Sequence, residues 1–223
     1  MNRVWWIAVL AIACACGKKE DAPQPEARVT PPPPEAPAPA ADPRPAIVCF
    51  GDSITAGFGL APNQSFPDLL QKDLDGRGLK YRVVNMGVSG DTTQDGLARV
   101  SIALSEKPAV VLLELGANDG LRGIPIAITQ TNLGQMMEAF QGAGARVVLA
   151  GMTLPPNYGP QYIARFEQVY RDLAAKYKVT LIPFLLEGVG GHDEFMQPDR
   201  LHPNAAGARK VEAVVMKALE RLL

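Results

Sequence analysis

From residue 46 onward the sequence predicts an α/β fold of three layers, built on a five-stranded parallel sheet of order 2-1-3-4-5. Three observations carry that prediction. Short, almost wholly apolar runs recur along the chain, segments of helical periodicity separate them, and glycine or proline marks many of the junctions. Continuous apolar runs suit strands covered on both faces, as parallel strands are, and their alternation with helices implies right-handed crossovers in a doubly wound, flavodoxin-like order.

The first strand is expected over residues 46–50, where Cys49 reads as a small buried hydrophobe. Helical spacing of apolar residues follows over 66–74, and a second apolar run over 81–85 gives the next strand. The alternation continues with a helix over 92–104, a strand over 109–114, a helix over 124–141, a strand over 146–150, a helix over 161–176 and a strand over 180–183. A last amphipathic helix is expected over 205–222.

Ahead of this domain, residues 1–16 read as a signal peptide. Met1 to Arg3 supply a positive start, residues 4–13 form an apolar run too short to span a bilayer, and Ala-Cys pairs follow at Cys14 and Cys16. An apolar segment ending in small residues and a cysteine resembles the lipobox of bacterial lipoproteins. Cys16, followed by Gly17-Lys18-Lys19, is the favoured attachment point, with Cys14 and a plainly cleaved signal as alternatives. Gly17 in place of an aspartate points to the outer membrane, if sorting follows the enterobacterial pattern. Residues 17–45, rich in proline and alanine with four consecutive prolines at 31–34, have no repeating apolar face and are expected to be a disordered linker. At about 3.1 Å per residue in polyproline II, such a linker acts as a spacer.

Composition narrows the function classes. The chain of 223 residues leaves roughly 180 for one domain with a full core. A net charge of −1 with 47% apolar residues gives no sign of a nucleic-acid partner. Two histidines and three scattered cysteines are too few for a usual zinc cluster, and neither a metal nor another cofactor is expected.

Ligands of open α/β sheets bind beyond the carboxyl ends of the strands, so the loops there are expected to hold the chemistry. After the first strand comes Gly51-Asp52-Ser53, where Ser53 is either a nucleophile, with its own amide aimed at a developing oxyanion, or a helix cap. After the second, Gly90 permits close approach of a substrate or simply makes a turn, and Asp91 or Thr92 caps the next helix. After the third, Asn118 offers a neutral amide donor suited to an oxyanion, although Asn-Asp-Gly is also a common turn. Beyond the fifth, His202 is the candidate general base and Asp199, three residues earlier, its orienting acid. His192, in a glycine-rich acidic stretch without a strand end beside it, reads as a solvated loop residue.

Taken together, these loops resemble the four blocks of the GDSL/SGNH hydrolase superfamily: Gly51 to Thr55 the first, Ser89 to Asp91 the second, Gly116 to Asp119 the third and Asp199 to Pro203 the fourth. Within it, Ser89-Gly90-Asp91-Thr92-Thr93, residues 114–123 and residues 154–158 look closest to the bacterial periplasmic thioesterase, lysophospholipase and arylesterase group. The resemblance implies the SGNH hydrolase fold, with Ser53 as nucleophile, His202 and Asp199 completing a triad, and the amides of Ser53 and Gly90 with the Asn118 side chain as oxyanion hole. It also implies a mobile loop over residues 153–158, with Leu154, Pro155, Asn157 and Tyr158 bordering an acyl pocket. Phe58, Leu60, Leu121 and Ile124 are further apolar candidates. The activity it implies is cleavage of carboxylic esters or thioesters through an acyl-enzyme, by a periplasmic monomer acting on small-molecule substrates. Two alternatives stay open: a deacetylase of envelope carbohydrate, and a catalytically silent lipid-binding lipoprotein, which intact Ser53, Asp199 and His202 argue against. A flavin or nucleotide binder is disfavoured, because the first strand is followed by acidic Asp52 rather than a phosphate-cradling glycine loop.

Overall fold

The computed structural model describes residues 42–223. Cys14, Cys16, the rest of the signal segment and the linker up to residue 41 therefore lie outside the described residues. The end of the linker touches the domain: Arg44 bridges Asp42 and Asp75, and the Pro45 carbonyl accepts the Arg82 amide.

Five parallel strands form one sheet of order 2-1-3-4-5: β1 (Ala46–Gly51), β2 (Arg82–Gly87), β3 (Pro108–Glu114), β4 (Arg146–Ala150) and β5 (Thr180–Ile182). All of β1 and nearly all of β3 are buried, as continuous apolar runs dictate for central strands. The reading of every run as fully buried needs correction at the two edge strands, β2 and β5. Their residues are mostly not fully covered, and on β2 Arg82 and Asn85 are tolerated for that reason.

Helices α2 (Phe66–Gly76) and α8 (Ala205–Leu219) pack together, while α3 (Thr93–Ala98), α6 (Ile126–Gly142) and α7 (Pro160–Tyr177) pack in series, giving a layer on each side of the sheet. The sequence marks where they begin. Ser65 caps α2 in a reciprocal box with Asp68, and Thr92 does the same for α3 with Asp95. Asn204 accepts two amides at the start of α8.

The helix expected over 92–104 is two helices, α3 and α4 (Val100–Ser105), broken at Arg99, whose backbone (φ −111°, ψ 10°) leaves the helical region. The cause is its side chain. The guanidinium turns inward, pairs with Asp91 at 2.6 Å, donates to the carbonyls of Met86 and Gly51 at 2.8 Å, and lies 4.0 Å over the Phe50 ring. Two further single-turn helices, α1 (Ser53–Ala56) and α5 (Ala117–Leu121), start directly at the ends of β1 and β3. Phe50 meets Phe140 of α6 edge-on, with ring centroids 5.5 Å apart, in the core beneath those strand ends.

Candidate active site

The carboxyl edge of the sheet gathers Ser53, Asn118, Asp199 and His202. Ser53 stands at the first position of α1, where the preceding Asp52 accepts the Ile54 amide at 3.1 Å and so holds the turn that presents the hydroxyl. Its Oγ lies 2.8 Å from His202 Nε2, and His202 Nδ1 lies 2.6 Å from Asp199 Oδ2. Asp199 Oδ1 accepts the Leu201 and His202 amides, at 2.9 and 3.1 Å, which fixes the carboxylate to the loop that carries the imidazole. Partial burial works against its charge, but the imidazole and the two amides outweigh it and hold the carboxyl below its usual range. Arg200, between them, takes a left-handed backbone (φ 58°), uncommon for a residue with a side chain, and this closes the turn. The Phe58 ring packs beside the imidazole at 4.7 Å.

Asn118 Nδ2 donates to the Asp91 carbonyl at 2.9 Å and to Asp52 Oδ2 at 3.2 Å, and its side chain borders the cavity next to Ser53. Gly90 has φ 89°, and its carbonyl accepts from Arg122 at 2.9 Å. The amides of Ser53 and Gly90 donate to no group among the described residues. A hydroxyl paired with an imidazole, a carboxylate behind the imidazole, and unspent amides nearby can together deprotonate a nucleophile and receive a developing negative charge.

Two carboxyls lie beneath this turn. Asp52 and Glu114 are both buried, and burial raises each, Asp52 to about 6 and Glu114 well above its ordinary value, with the neighbouring Asp52 charge adding to the latter. Glu114 escaped the sequence reading as a site residue because it sits in an apolar strand. Its signal was a charged residue closing the run Leu112-Leu113-Glu114.

A cavity of about 680 Å³ opens beside Ser53, with Leu121, Met152, Leu154, Phe184, Leu186 and Met196 among its walls. Of the loop expected to border it, Leu154 and Pro155 are in the wall. Asn157 is exposed, and Tyr158 turns away to donate to the Leu121 carbonyl at 2.7 Å and stack on Tyr162. The segment is also tied by Thr153, which donates to Glu167 at 2.6 Å. Leu60 and Phe58 line a narrow apolar cleft on another side of Ser53 and His202, and Ile124 lines neither space. His192 is exposed in its loop, and Cys49 is buried.

The sequence profile of the GDSL-like Lipase/Acylhydrolase family matches residues 49–210. Esterase TesA of Pseudomonas aeruginosa is 48% identical over 178 residues, 79% of this chain and 89% of the relative. Thioesterase 1/protease 1/lysophospholipase L1 of Escherichia coli K12 is 37% identical over 178 residues, 79% of this chain and 84% of the relative. Among solved structures, TesA superposes with a TM-score of 0.78, over 80% of this chain and 99% of its own. The esterase EstA from Pseudoalteromonas, in a structure inhibited by monoethylphosphonate, is 32% identical with a TM-score of 0.76, over 79% of this chain and 97% of its own.

Proposed function

The chain belongs to the GDSL-like lipase/acylhydrolase family and is a hydrolase of carboxylic esters or thioesters, and on that premise we propose that Ser53 is its nucleophile, His202 its general base and Asp199 the partner of the base. The observation that carries this reading is the unbroken line from Asp199 Oδ2 through both imidazole nitrogens to Ser53 Oγ, at 2.6 and 2.8 Å. As Oγ attacks the carbonyl carbon, Nε2 takes its proton. The amides of Ser53 and Gly90 receive the oxyanion, joined by the Asn118 side chain as one of its N–H groups turns from the Asp91 carbonyl or the Asp52 carboxyl. Collapse expels the alcohol or thiol, which takes the proton from the imidazolium. Water, deprotonated by His202, then attacks the acyl-enzyme and frees the acid and Ser53.

Medium acyl chains are the proposed substrates, supported by the size and apolar walls of the cavity beside Ser53. Hydrolysis of p-nitrophenyl esters from acetyl to palmitoyl tests this. Activity is expected to peak at medium length, to fall by roughly 10²- to 10³-fold in Asn118→Ala, and to fall further in Ser53→Ala. Strong acetyl preference would favour a carbohydrate deacetylase instead, and wild-type rates in both folded variants would sink the assignment.

The lipobox-like sequence at Cys16 supports a further proposal: a periplasmic monomer, lipid-anchored to the outer membrane. Labelled palmitate should enter the wild type and not Cys16→Ser. Label persisting in that variant and lost in Cys14→Ser would move the attachment to Cys14.

A further inference from the structure

We propose that Glu114 is a positioning residue for this site, bracing the nucleophile turn directly and the oxyanion donor Asn118 through Asp52. The inference rests on the assignment of Ser53 and Asn118 above. Glu114 is the last residue of β3, fully buried directly under the turn that carries Ser53. Its Oε2 accepts the Asp52 amide at 3.1 Å and the Thr55 hydroxyl at 2.7 Å, so one oxygen grips the chain on both sides of Ser53. Asp52, held in this way, accepts the Ile54 amide with Oδ1 and Asn118 Nδ2 with Oδ2. The path from Glu114 therefore reaches both groups that must face the substrate carbonyl.

Packing around Glu114 supports the same role. A Cβ at Gly51 would overlap the Glu114 carboxyl and the Thr55 hydroxyl, so glycine at 51 leaves the space that the carboxyl fills. The remaining oxygen, Oε1, is buried without a partner, and no cation pairs with the group among the described residues. The Arg99 guanidinium, which reaches the end of β1, is bound to the Gly51 carbonyl and Asp91. The titratable groups that face Glu114 are Asp52, Cys49 and Tyr170, none of which supplies positive charge. A buried carboxylate without a counter-charge is costly, so burial and the neighbouring Asp52 charge favour the protonated form of Glu114. That form also serves the site, because a negative charge here would oppose the oxyanion forming above it.

The test uses the full chain with Glu114→Gln and Glu114→Ala, measuring kcat, KM and the pH profile on p-nitrophenyl octanoate beside Ser53→Ala. Gln is uncharged and keeps an oxygen for both donors, so kcat should stay within about threefold of wild type and the acid limb of kcat/KM should not move. Ala removes the brace and should lower kcat about 10²-fold with little change in KM. Its effect should shrink in an Asn118→Ala background, since both changes damage the same donor. A Gln variant as impaired as Ala, a displaced acid limb, or an Ala variant with wild-type kcat would overturn the inference while an inactive Ser53→Ala left the nucleophile standing. Activity retained in Ser53→Ala would overturn the nucleophile assignment and this inference with it. Should Glu114→Ala not fold, the rate and pH profile of Glu114→Gln decide alone.

Discussion

At the scale of single residues, the site divides into groups that act by charge and groups that act by placing others. Asp199 belongs to the first kind. Its carboxyl is held below 3.8, so its bonds to the imidazole and two amides contribute stability above that pH, which is lost as pH falls through the folded value. Asp52 has the opposite sign. Its carboxyl is raised from 3.8 to about 6, so the native state holds a proton that the unfolded chain releases, and stability declines as pH rises through that window. The Tm of the wild type should therefore fall relative to that of Asp52→Asn between about pH 4 and 7, as thermal melts across that range would read. A constant difference would mean that Asp52 titrates normally. Asp52→Asn should also lower kcat, because its amide would point a donor at the Asn118 donor it now accepts. Ser53, Asn118, Asp199 and His202, which the fold gathers at one edge, were legible as candidates because Ser53 and Asn118 closely follow apolar runs and Asp199 and His202 lie just ahead of the last helix. Met152, Phe184, Leu186 and Met196 were not, since a residue lining a cavity and a residue filling the core carry the same apolar signature.

At the scale of elements, the central strands were legible because burial on both faces demands continuous apolar runs, and the larger helices because their apolar residues recur at helical spacing. The breaks were not. A helix interrupted at Arg99 keeps helical periodicity on both sides, and only the contacts of the guanidinium reveal why the chain turns there. The single-turn α1 and α5 are too short for any period to register, yet they carry Ser53 and Asn118. Arg99 fastens the ends of β1 and β2 and the Asp91 loop together, and a lysine offers one point charge in place of that fork. Arg99→Lys should destabilise the fold by about 1–3 kcal/mol and lower kcat/KM. Chemical denaturation checks the first effect and ester hydrolysis the second; unchanged values for both would remove Arg99 from the network.

For the molecule as a whole, the sheet order explains why distant segments cooperate. Parallel strands deliver every carboxyl end to one edge, and there the loops after β1, β2 and β3 meet the connection between β5 and α8, which brings Asp199 and His202. The fold class and strand order could be read from alternation alone, because right-handed crossovers leave few arrangements. The cavity could not, because its walls come from the segments after β1, β3 and β4 and from the connection between β5 and α8, whose meeting depends on packing across the molecule. Filling it should change selectivity without touching the chemistry. Met196→Trp should shift the preferred p-nitrophenyl ester toward shorter chains while acetyl ester turnover stays near wild type; an unchanged profile would place the acyl chain elsewhere.

Ser53 is expected to carry a covalent acyl group during turnover, and mass spectrometry of enzyme quenched while hydrolysing p-nitrophenyl octanoate would detect it. An added octanoyl mass on the peptide containing Ser53, absent in Ser53→Ala, is the predicted result. An adduct on another residue, or full turnover by Ser53→Ala, would contradict it.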